Sequence, residues 1–152
     1  MKQTTLCYIE ENGAYLMLHR IKKENDENKD KWIGIGGKFE EGESPFDCIR
    51  REIKEEVGIS PKNLCYRGII TFVSNIYGTE YMHLFSAKGY EGKLLKLCDE
   101  GIPEFVKKEK IPTLPIWEGD KIFLSLLDNE TRFFSLKLIY EGDKLIDHKL
   151  EF

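Results

Sequence analysis

Residues 37–59, GKFEEGESPFDCIRREIKEEVGI, contain the pattern that decides the fold. Ser44 and Pro45 predict the start of a helix, because serine caps free backbone N–H groups and proline suits the first helical position. Asp47 stands three residues after Ser44, where its carboxylate can accept a hydrogen bond from the Ser44 backbone N–H. Gly58 predicts the end of the helix, since glycine readily adopts the left-handed conformation found there.

The predicted helix has two distinct faces. Spacings of three and four residues place Glu52, Glu55 and Glu56 on one face. The apolar residues form a second, buried face: Phe46, Ile49, Ile53 and Val57. Like charges on one face repel, and acidic residues near a helix C-terminus oppose the helix dipole. The glutamates either form a solvated surface or bind a hard divalent cation through their oxygens.

Length and composition indicate an ordinary globular protein. A chain of 152 residues with 41% hydrophobic residues fits one domain, residues 1–152. The net charge of −4 argues against a long nucleic acid as partner. There is no apolar run of membrane-spanning length and no signal core, so we expect a cytoplasmic protein without a membrane partner. The sequence does not indicate the oligomeric state.

The four cysteines are scattered singly: Cys7, Cys48, Cys65 and Cys98. They lack the spacing of a zinc site, so we expect reduced and mostly buried thiols. The three histidines likewise show no ligand spacing and receive no predicted role.

Several β-prone segments surround the helix. Residues 3–10 and 14–21 predict a hairpin around Asn12 and Gly13, and residues 32–35 predict a short strand. Further strands are predicted at 64–74, 80–87 and 104–108, and a closing hairpin at 131–140 and 144–152. Residues 88–101 are predicted to be a loop. The polar run 22–31 predicts a surface loop, which is either simply solvated or a lid beside the site.

A second amphipathic helix is predicted at residues 117–127. Its inward residues would be Ile116, Phe123, Leu124 and Leu127. Several strands with two helices indicate an α+β protein.

The glycines and charges of residues 37–59 also follow a family pattern. Gly37, five residues, Glu43, seven residues and then REIKEEVGI (residues 51–59) resemble the Nudix box at every specified position. The resemblance implies the Nudix α/β/α sandwich, with a mixed β-sheet between helices. It also implies hydrolysis of a nucleoside diphosphate linked to another group, with Mg²⁺ as cofactor and Mn²⁺ as an alternative.

The resemblance assigns roles to residues of the box. Glu52, Glu55 and Glu56 match the metal-ligand positions, and either Glu52 or Glu56 would activate the attacking water. Arg51 matches a position that orients a box glutamate. Gly36 or Gly37 would offer a carbonyl to the metal, and Glu43 would brace the loop against the helix.

Similarity to the MutT-like branch, in particular to oxidised purine nucleoside triphosphatases, extends over nearly the whole chain. It implies that Glu100 is a further metal ligand and that Arg20 and Lys38 face the phosphates. The implied base-pocket residues are Thr5, Ile33, Phe72, Trp117 and Asp120. Each of these also has a plainer explanation, such as a core aromatic residue for Trp117 and Phe72 or a solvated loop acid for Glu100.

Two positions depart from the related pattern. Ile33 stands where an asparagine binds the oxidised purine, and Gly119 with Asp120 stands where paired aspartates occur. Isoleucine cannot supply the hydrogen-bond donor and acceptor of an amide. A site that loses such a group can lose orders of magnitude of preference for one substrate over a close analogue.

The sequence therefore predicts a Mg²⁺-dependent enzyme that converts a nucleoside triphosphate to a monophosphate and pyrophosphate. Its role would be to remove oxidised purine nucleotides such as 8-oxo-dGTP. One alternative is hydrolysis of a dinucleoside polyphosphate, for which Tyr77 is a candidate stacking residue. A second alternative is a nucleotide-sensing module without catalysis, although such modules typically lose box glutamates that this chain retains.

Overall fold

The structure of the chain is a computed structural model that describes residues 1–21 and 26–152. In chain order the described elements are β1 (Lys2–Glu11), β2 (Ala14–His19), β3 (Trp32–Ile33), α1 (Pro45–Val57), β4 (Ser60–Pro61), β5 (Cys65–Ser74), β6 (Gly78–Lys88), β7 (Tyr90–Glu91), β8 (Ile102–Lys107), a 3₁₀-helix (Lys108–Thr113), α2 (Glu118–Asp128), β9 (Phe134–Glu141) and β10 (Lys144–Glu151).

The main sheet is mixed, as the family resemblance implies. Its order is β10-β9-β5-β6-β1-β2-β3, with β8 paired to β2. Strand β1 pairs parallel to β6, and β5 pairs parallel to β9, whereas the hairpins and the β2–β8 pair are antiparallel. In the first hairpin, Asn12 and Gly13 both have positive φ, the conformation that this tight turn requires.

The predicted caps of α1 are confirmed. The Ser44 hydroxyl accepts a hydrogen bond of 3.1 Å from the Asp47 backbone N–H, and the Asp47 carboxylate accepts one of 3.1 Å from the Ser44 backbone N–H. Gly58 ends the helix with φ 77°, and its N–H donates to the Lys54 carbonyl. These caps fix where the helix starts and stops, and hence which residues face the sheet.

The two helices pack on opposite faces of the sheet. On one face, α1 buries Cys48, Ile49, Ile53 and Val57 against β1, β2 and β6. Phe46, predicted for the buried face, is only partly buried, and Cys48 is fully buried on this side of the helix, as expected of most of the cysteines. On the other face, α2 buries Phe123, Leu124 and Leu127 as predicted, and Ile116 just before it is buried too. This is the expected α+β sandwich.

Some predicted boundaries are wrong. Residues 88–101 are not entirely loop, because Tyr90 and Glu91 pair with Ser60 and Pro61 in a small second sheet. The predicted strand 32–35 is a pair of residues followed by an isolated bridge from Ile35 to Cys7. The last hairpin begins at Phe134, not at residue 131. Short pairings of this kind depend on long-range contacts and leave no periodic signal.

The cysteines are unpaired, and three of the four are buried, with Cys65 exposed. Among the described residues, no helix combines the length and apolar character needed to cross a membrane. Residues 22–25 of the predicted surface loop lie outside the described residues, whereas residues 26–31 lie beside the site described below.

Candidate active site

Two glycines form the entry to α1 because their neighbours leave no room for side chains. A Cβ on Gly36 would lie 1.9 Å from the Thr5 carbonyl oxygen, and a Cβ on Gly37 would lie 2.4 to 2.7 Å from the carboxyl atoms of Glu52. The Gly37 carbonyl accepts hydrogen bonds from the Thr5 backbone N–H at 2.9 Å and from the Thr5 hydroxyl at 3.3 Å. The loop therefore lies directly against β1 and against the Glu52 carboxylate.

Arg51 holds this loop on the helix. Its Nε and Nη2 donate to the two carboxylate oxygens of Glu43 at 2.7 and 2.9 Å, and Nη2 also donates to the Lys38 carbonyl at 3.0 Å. Its Nη1 donates to Glu52 at 2.8 Å and to Glu55 at 3.2 Å. The guanidinium lowers the pKa of Glu43 to about 2. Arg51 thus orients Glu52, and Glu43 braces the loop.

Glu56 is the carboxyl of α1 whose pKa is clearly shifted by its surroundings. Burial raises its pKa to about 8, and the charges of Glu52 and Glu100 act in the same direction, against opposing effects of Arg20 and the Gly36 backbone. Its Oε2 is buried and has no hydrogen-bond partner among the described residues. A carboxyl in this position is held ready for a proton or a cation.

Three of the four predicted glutamate ligands line one open space of about 850 Å³, which we call the glutamate groove. Its lining residues are Lys2, Arg20, Asp26, Glu27, Asn28, Gly36, Gly37, Lys38, Glu52, Glu56, Tyr77 and Glu100. The fold therefore brings Glu100 from the segment before β8 to the α1 glutamates. The fourth predicted ligand, Glu55, is not part of this lining, and its side chain is 60% exposed.

Three of the four predicted glutamate ligands bond to cationic side chains. Glu52 and Glu55 share one nitrogen of Arg51, and Glu100 accepts from Arg20 at 2.9 Å. In ranges 1–21 and 26–152, no three His, Cys, Asp or Glu side chains are gathered closely enough to form a ready metal site.

Two observations nevertheless fit a cation at the groove. The buried Glu56 Oε2 lacks a partner among the described residues. In addition, the space that a Cβ on Gly37 would need is taken by the Glu52 carboxyl group. Oxygen donors of this kind suit a hard divalent cation. Of the two candidate carbonyl ligands, that of Gly37 already accepts two hydrogen bonds from Thr5. The Gly36 carbonyl is therefore the better candidate for binding a cation.

A second space of about 170 Å³, which we call the aromatic cavity, adjoins the groove. Its lining residues are Lys2, Thr4, Thr5, Leu6, Arg20, Glu27, Asn28, Ile33, Gly36, Gly37, Lys38, Phe72, Glu80, Met82, Trp117 and Asp120. All five predicted base-pocket residues are among them. The Thr5 side chain, however, bonds to the Gly37 carbonyl and contacts Cys48 at 3.4 Å on the α1 side.

Aromatic rings and an amide fix the walls of this cavity. The rings of Phe72 and Trp117 meet edge to face with centroids 5.3 Å apart, and Tyr140 behind them contacts both. The Trp117 indole N–H donates to the Asn28 side-chain oxygen at 2.7 Å, and the Lys31 ammonium lies 4.4 Å from the Trp117 ring centre. Trp117 is therefore held from behind by Tyr140 and by residues 28 and 31.

Asp120 is the carboxyl that α2 contributes to the lining of the aromatic cavity. It is 6% exposed, and burial raises its pKa to about 8 despite the opposing charge of Lys31. Burial therefore favours the protonated form of this carboxyl, which can donate a hydrogen bond.

The departure at Gly119 has a steric cause. A Cβ there would lie 2.5 Å from a Leu138 methyl carbon and 2.8 Å from the Tyr140 hydroxyl. Leu138 and Tyr140 thus fill the space into which a side chain at residue 119 would extend. Asp120 stands alone where the related pattern has two aspartates.

Several residues that line these spaces have no role predicted from the sequence. Lys2 and Thr4 share a face of β1 with Leu6, and Glu80 and Met82 stand opposite them on β6. The alternation of β1 could have identified the first pair, but the parallel pairing of β1 with β6 was needed for the second. For Glu27 and Asn28 the only signal is the polar run 22–31, one of whose two predicted alternatives is a lid beside the site, and no local pattern signals the role of Tyr140.

Comparison with known proteins agrees with this geometry. Residues 2–127 match the model of the NUDIX domain. The chain is 32% identical over 152 residues to an oxidized purine nucleoside triphosphate hydrolase of Danio rerio, covering 99% of this chain and 94% of the relative. It is 30% identical over 122 residues to the Mus musculus protein of that description, covering 79% and 77%.

A solved MutT protein from Bacillus halodurans superposes with a TM-score of 0.87 at 29% identity, over 99% of this chain and 98% of the other. Its fold therefore matches from the first strand to the last. With the box residues gathered on α1 and at the loop before it, the chain belongs to the Nudix hydrolase family.

Proposed function

We propose that residues 1–152 form a single domain that hydrolyses a purine nucleoside triphosphate to the monophosphate and pyrophosphate, using Mg²⁺. The observation that carries this proposal is the direct connection between the glutamate groove and the aromatic cavity, which share seven lining residues. A nucleotide has the same two parts, a polyanionic chain and a flat apolar base. The cytoplasmic location predicted from the sequence is part of the proposal.

The groove needs a counter-ion to accept a triphosphate. Glu52, Glu56 and Glu100 would repel the phosphates, whereas Nudix hydrolases generally use divalent metal ions. We assign the cation to these three glutamates and the Gly36 carbonyl, with exposed Glu55 as an outer participant. When bound, the ion neutralises phosphate charge and polarises the phosphorus centre. Arg20 and Lys38 stand at the groove to contact phosphate oxygens.

In the reaction, a water oxygen forms a bond to one phosphorus of the α–β bridge while the bond from that phosphorus to the bridging oxygen breaks. A water proton passes to a carboxylate, and the monophosphate and pyrophosphate separate, one carrying the water oxygen and the other the bridging oxygen. Glu56 and Glu52 are the candidate bases. Glu56 is buried with an unpaired Oε2 among the described residues, whereas Glu52 is already oriented by Arg51. Comparison of the pH–rate profiles of Glu52→Gln and Glu56→Gln separates these roles.

The base would lie between the apolar walls of the aromatic cavity. Phe72 and Trp117 supply flat surfaces, and the protonated Asp120 donates a hydrogen bond to a ring acceptor. Ile33 contributes only apolar contact. The names of the Danio rerio and Mus musculus relatives support oxidised purines as substrates. The loss of two polar positions predicts weaker discrimination between 8-oxo-dGTP and dGTP than a pocket with an asparagine and two aspartates would give.

The test is a hydrolysis panel with Mg²⁺ that contains dGTP, 8-oxo-dGTP, the other dNTPs, a dinucleoside tetraphosphate and ADP-ribose. Glu56→Gln should lower turnover by about 10² to 10⁴. Glu91→Gln is the control and should match wild type, because Glu91 is exposed and lines neither the groove nor the cavity. Equal inactivity of wild type and Glu56→Gln throughout the panel would contradict the proposal. Equal rates with 8-oxo-dGTP and dGTP would remove only the preference for oxidised purines.

A dinucleoside polyphosphate is the second candidate substrate. Tyr77 lines the glutamate groove and is 43% exposed, so its ring is available to stack on a second base. If this candidate is correct, Tyr77→Ala should weaken hydrolysis of the dinucleoside tetraphosphate and leave dGTP hydrolysis unchanged.

A further inference from the structure

The passage between the aromatic cavity and the glutamate groove is lined on one side by Glu27. This residue belongs to the lining of both spaces, as do Lys2 and Asn28. By contrast, Phe72, Trp117 and Asp120 line only the cavity, and Glu52, Glu56 and Glu100 line only the groove. Glu27 therefore stands between the part that would hold a base and the part that would hold phosphates.

The two oxygens of Glu27 differ. Oε1 accepts a hydrogen bond of 3.2 Å from the Lys2 ammonium, which keeps the carboxylate near β1. Oε2 is buried and has no hydrogen-bond partner among the described residues, and the whole side chain is 20% exposed. A buried carboxylate oxygen without a donor is costly, so a ligand that brings an O–H group to this point would be favoured.

From this geometry we propose that Glu27 binds a sugar hydroxyl of the nucleotide and thereby sets the choice between ribose and deoxyribose substrates. The proposal rests on the proposed function, because it takes the cavity for the base and the groove for the phosphates. The sugar joins these two parts of a nucleotide, and a carboxylate accepts short, strong hydrogen bonds from hydroxyl groups.

Other partners for Glu27 fit the structure less well. A phosphate would be repelled by the carboxylate. A base edge would be expected deeper in the cavity, where Asp120 and the aromatic walls are located. Neighbouring Asn28 is less available, because its side-chain oxygen already accepts the Trp117 indole N–H at 2.7 Å.

The experiment compares GTP, dGTP and 2′,3′-dideoxy-GTP as substrates of wild type, Glu27→Gln and Glu27→Ala. Binding of the three corresponding monophosphates is measured in parallel by calorimetry, so that one readout does not depend on catalysis. For nucleotides that carry the recognised hydroxyl, we expect the Glu27 variants to show a KM about ten- to one-hundredfold higher than wild type. Their affinity for the corresponding monophosphates should fall by a similar factor. The dideoxy compounds should be unaffected. The first compound in the series to lose the effect identifies the hydroxyl.

Glu80→Gln is the matched control. Glu80 also pairs with Lys2, at 3.7 Å, but lines only the aromatic cavity. It should leave the ratios among the three sugars as in wild type, and thermal unfolding checks that all variants are folded. Equal losses for all three sugars in the Glu27 variants, or no loss for any, would overturn the assignment. If wild type binds the monophosphates with the expected Glu27 dependence but hydrolyses no triphosphate, the proposed reaction fails and the sugar site stands.

Discussion

The Tyr140 hydroxyl accepts a hydrogen bond of 2.6 Å from the backbone N–H of Gly119, at the start of α2. This bond joins the C-terminal hairpin to the helix that carries Asp120. Tyr140 is 2% exposed and also stacks on Phe72, with ring centroids 4.9 Å apart. One buried tyrosine thus determines both the backbone position beside Asp120 and the back wall of the aromatic cavity.

Gly119→Ala should destabilise the protein by about 1 to 3 kcal/mol, because the new methyl group would overlap the Leu138 side chain and the Tyr140 hydroxyl. Chemical denaturation gives the free energy of unfolding. In a double-mutant cycle, Leu138→Ala removes the closest contacts, so the double variant should be more stable than the sum of the single effects predicts. Strict additivity would show that the overlap is relieved in another way.

Glu56→Gln should stabilise the metal-free protein at alkaline pH. The pKa of Glu56 is raised from 4.5 to about 8 in the folded state, so the folded state binds the proton more tightly than the unfolded state. The stability of wild type therefore falls as pH rises from about 4.5 to 8, by up to roughly a few kcal/mol. Glutamine cannot ionise and avoids this loss.

Thermal unfolding in EDTA between pH 5 and pH 9 tests this linkage. The difference between Glu56→Gln and wild type should grow up to about pH 8 and then level off. Glu55→Gln, at an exposed position of the same helix, should show no such growth. A stability difference that stays constant with pH would argue against a raised pKa of Glu56. Added Mg²⁺ should stabilise wild type more than Glu56→Gln, increasingly so as pH rises.

Gly37→Ala should lower turnover strongly while the free energy of unfolding changes little. The added Cβ would meet the carboxyl group of Glu52, which is the end of a flexible side chain and can move aside. A shift of that carboxylate by about 1 Å is expected to lower the rate about one hundredfold. Steady-state kinetics and thermal unfolding of the same preparation provide the test. A normal rate in a folded Gly37→Ala protein would show that Glu52 need not occupy its present position.

Arg51→Lys should reduce turnover although it keeps the positive charge. Lysine cannot reproduce the paired hydrogen bonds to Glu43 together with the bond to Glu52. Since such supporting partners of metal ligands typically contribute ten- to one-hundredfold, we expect a loss of about that size. Arg50→Lys is the neighbouring control, because Arg50 lies over the Phe46 ring away from these glutamates. Similar losses in both variants would point to a general effect of the helix surface.

Residues close together in the chain determined much of this protein. The spacing of Ser44, Asp47 and Gly58 defines the α1 caps, and Asn12 with Gly13 defines the first hairpin. The box pattern in residues 37–59 places Glu52 and Glu56 on one edge of α1. All of these depend on interactions within a few residues, for which periodicity and capping rules are sufficient.

Tertiary structure decided the rest. The parallel pairing of β1 with β6 sets Lys2 opposite Glu80, and the packing of the last hairpin places Tyr140 against Gly119. The position of Glu27 between the aromatic cavity and the glutamate groove likewise depends on contacts with β1. The sequence by itself thus determined the helix, its caps and the glutamates of the box. Only the folded chain decided how the base pocket is shaped, because its walls come from segments far apart whose pairing leaves no local pattern.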